Sequence, residues 1–326
     1  MKKYKQERIA CCAWTFDYVD RESSNLKSIL PVPITMLPMD FYNEFKSIYF
    51  IDLQDQGFLT THGRFVTPEQ ARPIAAEAGC VVIDNTSHFR YDYDVPLVVP
   101  EVNPEALSDF RNRNIIANPN CSTIQMMVAL KPIYDAYGID RINVTTYQSV
   151  SGGGKKAVDE LAKQTANLMN ARPLENDVFP KQIAFNVIPQ IDSFEDNGYT
   201  REEMKMVWET QKIFNDPGIT VNPTCVRVPV FYGHAESLHV ETRAPIDAQE
   251  VINLLEQTEG VEVFHGDDFP TQVRDAGGKD HVMVGRIRND ISHHSGINLW
   301  VVADNVRKGA ATNAVQIAEV LIRDYY

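Results

Sequence analysis

Past residue 72 the chain alternates short apolar runs with stretches of helical period. Gly79-Cys80-Val81-Val82-Ile83-Asp84 predicts a buried strand ending in the polar loop 85–90, and residues 114–117 predict another. Apolar positions at helical spacing predict a helix over 124–137, and 141–150 reads as strand. Ser151-Gly152-Gly153-Gly154-Lys155 reads as a glycine turn opening a helix over 156–170, and 184–189 as a further strand. Over 200–214 a helix is predicted, with Thr200 as N-cap and Glu203 three residues on, the pattern of a capping box. Residues 226–242 are strand-rich, with breaks at Pro229 and Gly233. A helix over 248–257, strands over 283–287 and 297–303, and an amphipathic helix over 309–324 complete the pattern. Strands alternating with helices give an α/β class.

Residues 1–72 do not follow this pattern. They hold one helix-like patch and one strand-like run, Ile48-Tyr49-Phe50-Ile51, and the first glycine of the chain is Gly57. A dinucleotide fingerprint needs glycines at a tight turn between a first strand and its helix. Nothing before residue 57 supplies them, and Thr60-Thr61-His62-Gly63-Arg64 is at best a remnant. A missing first strand–helix–strand unit would leave sheet edges unpaired, so low stability or poor solubility is expected.

At 326 residues the chain can bury a large core, and two domains are expected. The net charge of −13 argues against nucleic acid or an anionic membrane as the main partner, but not against small anionic substrates held by local arginines. No apolar run is long enough to span a bilayer, and 9–14 is too short for a secretory leader. Five cysteines without framework spacing suit free thiols in a reducing cytosol. No ligand spacing supports a metal site, and His293-His294 has no third partner in sequence.

Candidate chemistry centres on Asn118-Pro119-Asn120-Cys121-Ser122-Thr123, which follows a strand and precedes a helix. A cysteine at a helix N-terminus faces free N–H groups and the positive end of the dipole, which favour a nucleophilic thiolate; a buried structural thiol is the plainer alternative. His234 is the best candidate base, against a hydrogen-bonded strand-end histidine. In an unbroken strand Arg227 and His234 would face opposite sides, and the breaks at Pro229 and Gly233 allow them to share one. Arg90 and Arg227 are candidate anion clamps or surface arginines. Glu209 and Lys212 share one helix face and read equally as a solvated pair. Gln148 could hold a polar substrate group, and Ser151 to Gly154 could receive phosphate or be a plain turn.

These motifs, with Tyr147-Gln148-Ser149-Val150-Ser151-Gly152-Gly153-Gly154-Lys155, Trp208-Glu209-Thr210-Gln211-Lys212, the segment 225–236 and Ala303-Asp304-Asn305-Val306-Arg307-Lys308-Gly309-Ala310-Ala311, together resemble bacterial aspartate-β-semialdehyde dehydrogenase over roughly residues 72–326. The resemblance implies a Rossmann-like cofactor domain (1–120 with 305–326, its first 72 residues atypical) and an α+β catalytic and dimerisation domain (121–304). It implies a cytoplasmic homodimer that reduces β-aspartyl phosphate to aspartate semialdehyde with NADP as cofactor, releasing phosphate, in the branch leading to lysine, threonine and methionine. It also implies Cys121 as nucleophile forming a thioacyl intermediate, His234 as general acid/base and Gln148 as orienting group. Arg227, Glu209 and Asn120 would hold substrate, and Arg90 and Lys212 its phosphate. Ser151, Gly152, Gly153, Gly154 and Asn305 would meet the cofactor. Two alternatives stay open: a homologue that keeps the thiol site but has lost cofactor binding, and a relative of N-acetyl-glutamyl-phosphate reductase.

Overall fold

The computed structural model describes residues 80–326 throughout and, before them, 9–20, 23–32, 52–60, 65–66, 72–73 and 76–77. The run Ile48-Tyr49-Phe50-Ile51 and residues 61–64 lie outside the described residues.

The chain divides into two compact units, residues 1–84 with 109–116, and residues 85–108 with 117–326. In the first, β1 (Ile9–Asp20), β2 (Ser23–Val32), β3 (Asp52–Thr60) and β4 (Phe65–Val66) form an antiparallel sheet of order β2-β1-β3-β4. Gly57 sits inside β3, paired with Ala13, and does not turn a strand into a helix. A separate two-stranded ladder joins β5 (Val82–Asp84) to β6 (Ile115–Ala117).

The second unit is built on α1 (Cys121–Tyr137), β7 (Ile139–Gln148), α2 (Lys155–Met169), α3 (Arg201–Phe214), β8 (Thr220–Arg227), β9 (His234–Thr242), α4 (Ala248–Glu256), β10 (Val261–Val263), β11 (Val282–Asn289), β12 (Gly296–Ala303) and α5 (Thr312–Tyr325). Its mixed six-stranded sheet has the order β10-β11-β12-β9-β7-β8. The β7–β8 and β10–β11 pairs are parallel and the rest antiparallel. Ten residues of α1 are buried, and it packs across β7, β9, β11 and β12. A helix covered on this scale is apolar on most of its circumference, which is how Ile124 to Leu130 read. A second apolar cluster, Val150, Ala157, Leu161, Ile183, Ala184 and Ile188, seats α2 against the long excursion that follows it.

Helix α1 starts at Cys121, three residues before the expected start, because Asn120 caps it. Its Oδ1 accepts from Ser122 N–H at 3.0 Å and Thr123 N–H at 3.3 Å. Thr200 and Glu203 form the expected capping box on α3. Residues 184–189 are not a strand. Phe185 has φ 59°, which no strand carries, and Gln164 Oε1 takes the N–H groups of Ile183 and Ala184 in place of a ladder. Only Ile188 bridges to Arg227 there. The closing helix begins at Thr312, after a wide turn over Arg307–Ala311.

Candidate active site

The strand-to-helix turn at Cys121 is held from three sides. Ala117 N–H donates to Pro96 O at 2.8 Å and Val98 N–H to Ala117 O at 3.1 Å. Asn118 donates to Asn85 Oδ1 at 2.7 Å and accepts from Asn313 at 2.6 Å. Asn120 N–H donates to Glu209 Oε2 at 2.6 Å, and Asn120 Nδ2 to Glu202 Oε1 at 2.9 Å. The sulfur opens into a cavity of about 500 Å³ lined among others by Asn85, Arg90, Gln148, Ser151, Gly152, Asp192, Glu202, Lys205, Arg227 and Asn305. Gly309 backs the cysteine: a Cβ there would lie 2.9 Å from Cys121 Cβ.

The break at 228–233 resolves the parity of Arg227 and His234. They lie on separate strands, and both are the cross-strand neighbour of Gln148, Arg227 on the parallel side and His234 on the antiparallel side. One row across the sheet therefore reads Arg227, Gln148, His234, with side chains on a common face. Arg227 donates to Ser149 O at 2.7 Å, and Gln148 Nε2 to Glu202 Oε1 at 3.2 Å. A Cβ on Gly152 would meet Arg227 Nη1 at 2.9 Å and His234 Nε2 at 3.2 Å. Only glycine lets the turn approach both groups so closely.

Charge sets the state of each group. Burial pushes the Cys121 thiol up to about 12, the Glu202 carboxylate adds to this, and Arg227 and Arg90 only partly offset it. Water withheld from the sulfur outweighs the Ser122 N–H and the two guanidinium groups that favour a thiolate. His234 is fully buried and depressed to about 3, by burial first and then by the Arg227 guanidinium. The ring is neutral at physiological pH. Its Nδ1 accepts from Ser149 N–H at 3.1 Å, so the ring proton sits on Nε2, which has no hydrogen-bond partner among the described residues.

Five cations and anions converge here, though not all of those expected. Arg90 is paired with Glu209 at 2.9 Å and donates to Asn85 O at 3.0 Å. Burial works against its charge, but Glu209 more than restores it. Glu209 itself is spent on Arg90 and on Asn120 N–H, fully buried behind the cavity wall. Lys212 does not reach the cavity. Its ammonium donates to the carbonyls of Arg90, Asp92 and Val95 at 2.7 to 2.9 Å. Glu202 and Lys205 stand in the lining instead, Lys205 bridging Glu202 at 3.1 Å and Asp192 at 2.9 Å. The sequence carries Glu-x-x-Lys twice on α3, seven residues apart, hence on the same face. Nothing in the pattern says which copy meets the cavity.

The turn after β7 brings Ser151, Gly152 and Asn305 to the cavity, while Gly153 and Gly154 are not part of its lining. Asn305 Oδ1 collects Ser149 Oγ, Ser151 Oγ and Gly233 N–H at 3.2, 3.1 and 2.9 Å. Its own amide N–H groups enter none of these bonds. A wall of this kind, with amide and hydroxyl groups beside a close-approach glycine, fits the carboxamide end of a nicotinamide. The diphosphate end is not matched: among the described residues of 1–84, no glycine turn leads from a strand into a helix. Among the described residues there is no metal-ligating cluster and no helix long and apolar enough to cross a membrane.

Comparison with known proteins bears on this geometry. Residues 58–110 match the semialdehyde dehydrogenase NAD binding domain, and residues 130–308 the semialdehyde dehydrogenase dimerisation domain. The likeness thus starts at residue 58, some way before residue 72. Aspartate-semialdehyde dehydrogenase 2 of Vibrio cholerae is 82% identical over 78% of this chain and 75% of its own length. The Shewanella violacea aspartate-semialdehyde dehydrogenase is 67% identical over 83% of this chain and 80% of its own. A crystal structure of the Vibrio cholerae aspartate semialdehyde dehydrogenase II complexed with ASA superposes with a TM-score of 0.78 at 81% identity, over 78% of this chain and 76% of that one. One from Candida albicans with NADP gives a TM-score of 0.60 at 27% identity, over 78% and 73%. With a nicotinamide-cofactor domain, a dimerisation domain and this thiol-centred cavity, the chain belongs to the aspartate-semialdehyde dehydrogenase family.

Proposed function

We propose that the chain reduces β-aspartyl phosphate to aspartate β-semialdehyde with NADPH, through a thioacyl intermediate on Cys121. The observation that carries this reading is a single cavity in which one thiol faces two guanidinium groups, two carboxylates (Glu202 and Asp192) and one ammonium. That charge set suits a substrate with an α-carboxylate, an α-ammonium and an acyl phosphate. Arg227 takes the carboxylate, Glu202 the ammonium, and Arg90 with Lys205 the phosphate.

Its proton released to solvent, Cys121 attacks the β-carbonyl carbon as thiolate. The oxygen gains charge beside the Nε2–H of His234, which donates to it; Gln148 holds the acyl group in the same sheet row. Collapse expels phosphate onto Arg90 and Lys205 and leaves a thioester. When bound beside Ser151, Gly152 and Asn305, a reduced nicotinamide would supply the hydride needed to take this thioester to a thiohemiacetal. Collapse of that adduct returns the sulfur and frees the aldehyde. For His234 to accept a proton at Nε2 instead, Ser149 N–H would lose its partner, at a cost of about 1–3 kcal/mol. This favours His234 as a hydrogen-bond donor to the developing oxyanion over His234 as a base.

The reading extends to a cytoplasmic homodimer on the route to lysine, threonine and methionine, with 1–120 and 305–326 serving the cofactor and 121–304 the chemistry and dimer. The diphosphate end of the cofactor has no matching turn among the described residues, which favours one second reading: a homologue with an intact thiol site and a crippled cofactor grip. Calorimetric titration with NADPH, with NADH alongside and phosphate-dependent oxidation of the semialdehyde as the activity assay, separates them. Micromolar NADPH binding with turnover supports the enzyme. No binding at millimolar cofactor, in a folded protein whose Cys121 still alkylates, supports the second reading and rejects the first.

A further inference from the structure

Directly behind the row of Arg227, Gln148 and His234 lies a second row, Cys225, Thr146 and Glu236, in matching register on β8, β7 and β9. Glu236 follows His234 by two residues, so both side chains leave β9 on the face that α1 covers. Glu236 has no solvent exposure, and neither carboxyl oxygen completes a hydrogen bond among the described residues. The groups that face it are Ser122 and Gln125 of α1. Both are fully buried, and their side-chain polar atoms are likewise without well-formed partners. Ser122 is the residue after the nucleophile, and Gln125 lies one turn on, at i+4 from Cys121. A buried glutamate of this kind adds nothing to an apolar core and is costly to place.

We propose that Glu236 is a positioning residue for the reaction at Cys121: its carboxyl group, set against Ser122 and Gln125, ties the first turn of α1 to the strand that carries His234 and so fixes sulfur against imidazole. The proposal rests on the reading of Cys121 and His234 given above. No cation is among the groups that act on Glu236, and burial raises its carboxyl well above the usual carboxylate range. Burial thus favours its neutral, protonated form. In that form it is a donor as well as an acceptor, and it can serve the Gln125 carbonyl and the Ser122 hydroxyl together. An ionised carboxylate, which only accepts, could take the Gln125 amide N–H and the Ser122 hydroxyl but would leave the Gln125 carbonyl unserved. A neutral amide of the same shape should replace it.

The test uses the full-length protein. Glu236→Gln, Glu236→Asp and Glu236→Leu are compared with the parent in kcat, KM, thermal midpoint and rate of Cys121 alkylation by iodoacetamide at pH 8, located by peptide mass. Glu236→Gln is expected to keep kcat within threefold and to melt no lower than the parent. Glu236→Leu is expected to lose kcat more than tenfold with KM within threefold, and to alkylate at least tenfold faster as the turn loosens. If Glu236→Leu keeps kcat and alkylation rate, the carboxyl only fills space and the proposal fails. If Glu236→Gln falls as far as Glu236→Leu, the group moves a proton and does not position, and the proposal also fails. Should the leucine variant not fold, the aspartate variant decides. One methylene short of α1, it must lose kcat tenfold while glutamine retains it; full activity in both overturns the proposal. Cys121→Ser is the separate control: activity surviving there rejects the site reading, whatever Glu236 does.

Discussion

A thiol pushed to about 12 is held almost wholly protonated near neutral pH and is a poor resting nucleophile. After burial, the largest cause is the carboxylate of Glu202, the group we assign to the substrate ammonium. A bound substrate would then neutralise the charge that keeps the sulfur protonated. Removing that charge by mutation should separate the two effects. Glu202→Gln is expected to speed iodoacetamide alkylation of Cys121 at pH 8 by several-fold. It should also lower kcat/KM by at least tenfold, since the ammonium site and the cap contact to Asn120 are both weakened. Alkylation that slows, or turnover that is unchanged, would contradict the assignment. The sign follows from the cause: deleting a nearby negative charge lowers a thiol pKa, so more thiolate exists at a given pH.

At the scale of elements, the site depends on contacts that sequence pattern could only partly give. The capped start of α3 was legible from Thr200 and Glu203, and the break between Arg227 and His234 from Pro229 and Gly233, because local chemistry decides both. Two things were not legible. The choice between Glu202–Lys205 and Glu209–Lys212 is made by the loop at residues 90–95, whose carbonyls capture Lys212, and by Arg90, which captures Glu209. The apparent strand at 184–189 is overruled by Gln164, a side chain twenty residues earlier in the chain. Tertiary partners settle such cases, and no window of sequence contains them. The wide turn ahead of α5 is a third example, because Gly309 is required by Cys121, far away in sequence. Gly309→Ala would drive a methyl group to 2.9 Å from Cys121 Cβ. We expect a loss of about 1–3 kcal/mol by denaturant titration, together with a tenfold or greater fall in kcat. A neutral result on both would mean that the turn yields freely and does not brace the cysteine.

For the whole molecule, the thiol cavity is built entirely within the unit formed by residues 85–108 and 117–326, from groups far apart in sequence. The match to a dimerisation domain over residues 130–308 falls on the same unit. Sedimentation velocity is therefore expected to give a species of twice the 36.9 kDa chain mass at micromolar concentration. A monomer at all concentrations would count against the homodimer and leave the chemistry of the cavity untouched. The buried cluster of Lys308 with Glu101, Asn313 and Gln316 acts at this scale as well. Lys308 is an ammonium with almost no exposure, and Asn313 links it to Asn118, three residues before the nucleophile. The C-terminal segment thus holds the turn that presents Cys121.

The shared register of Arg227, Gln148 and His234 also governs how the chain can change length. Adding one residue inside β7, ahead of Gln148, would turn that side chain to the opposite face and separate it from both neighbours. One residue added in the exposed turn at 291–294 leaves every row of the sheet aligned. Insertions and deletions should therefore drift freely through the outer turns of this fold, while the lengths of β7, β8 and β9 stay fixed even where their individual side chains are replaceable.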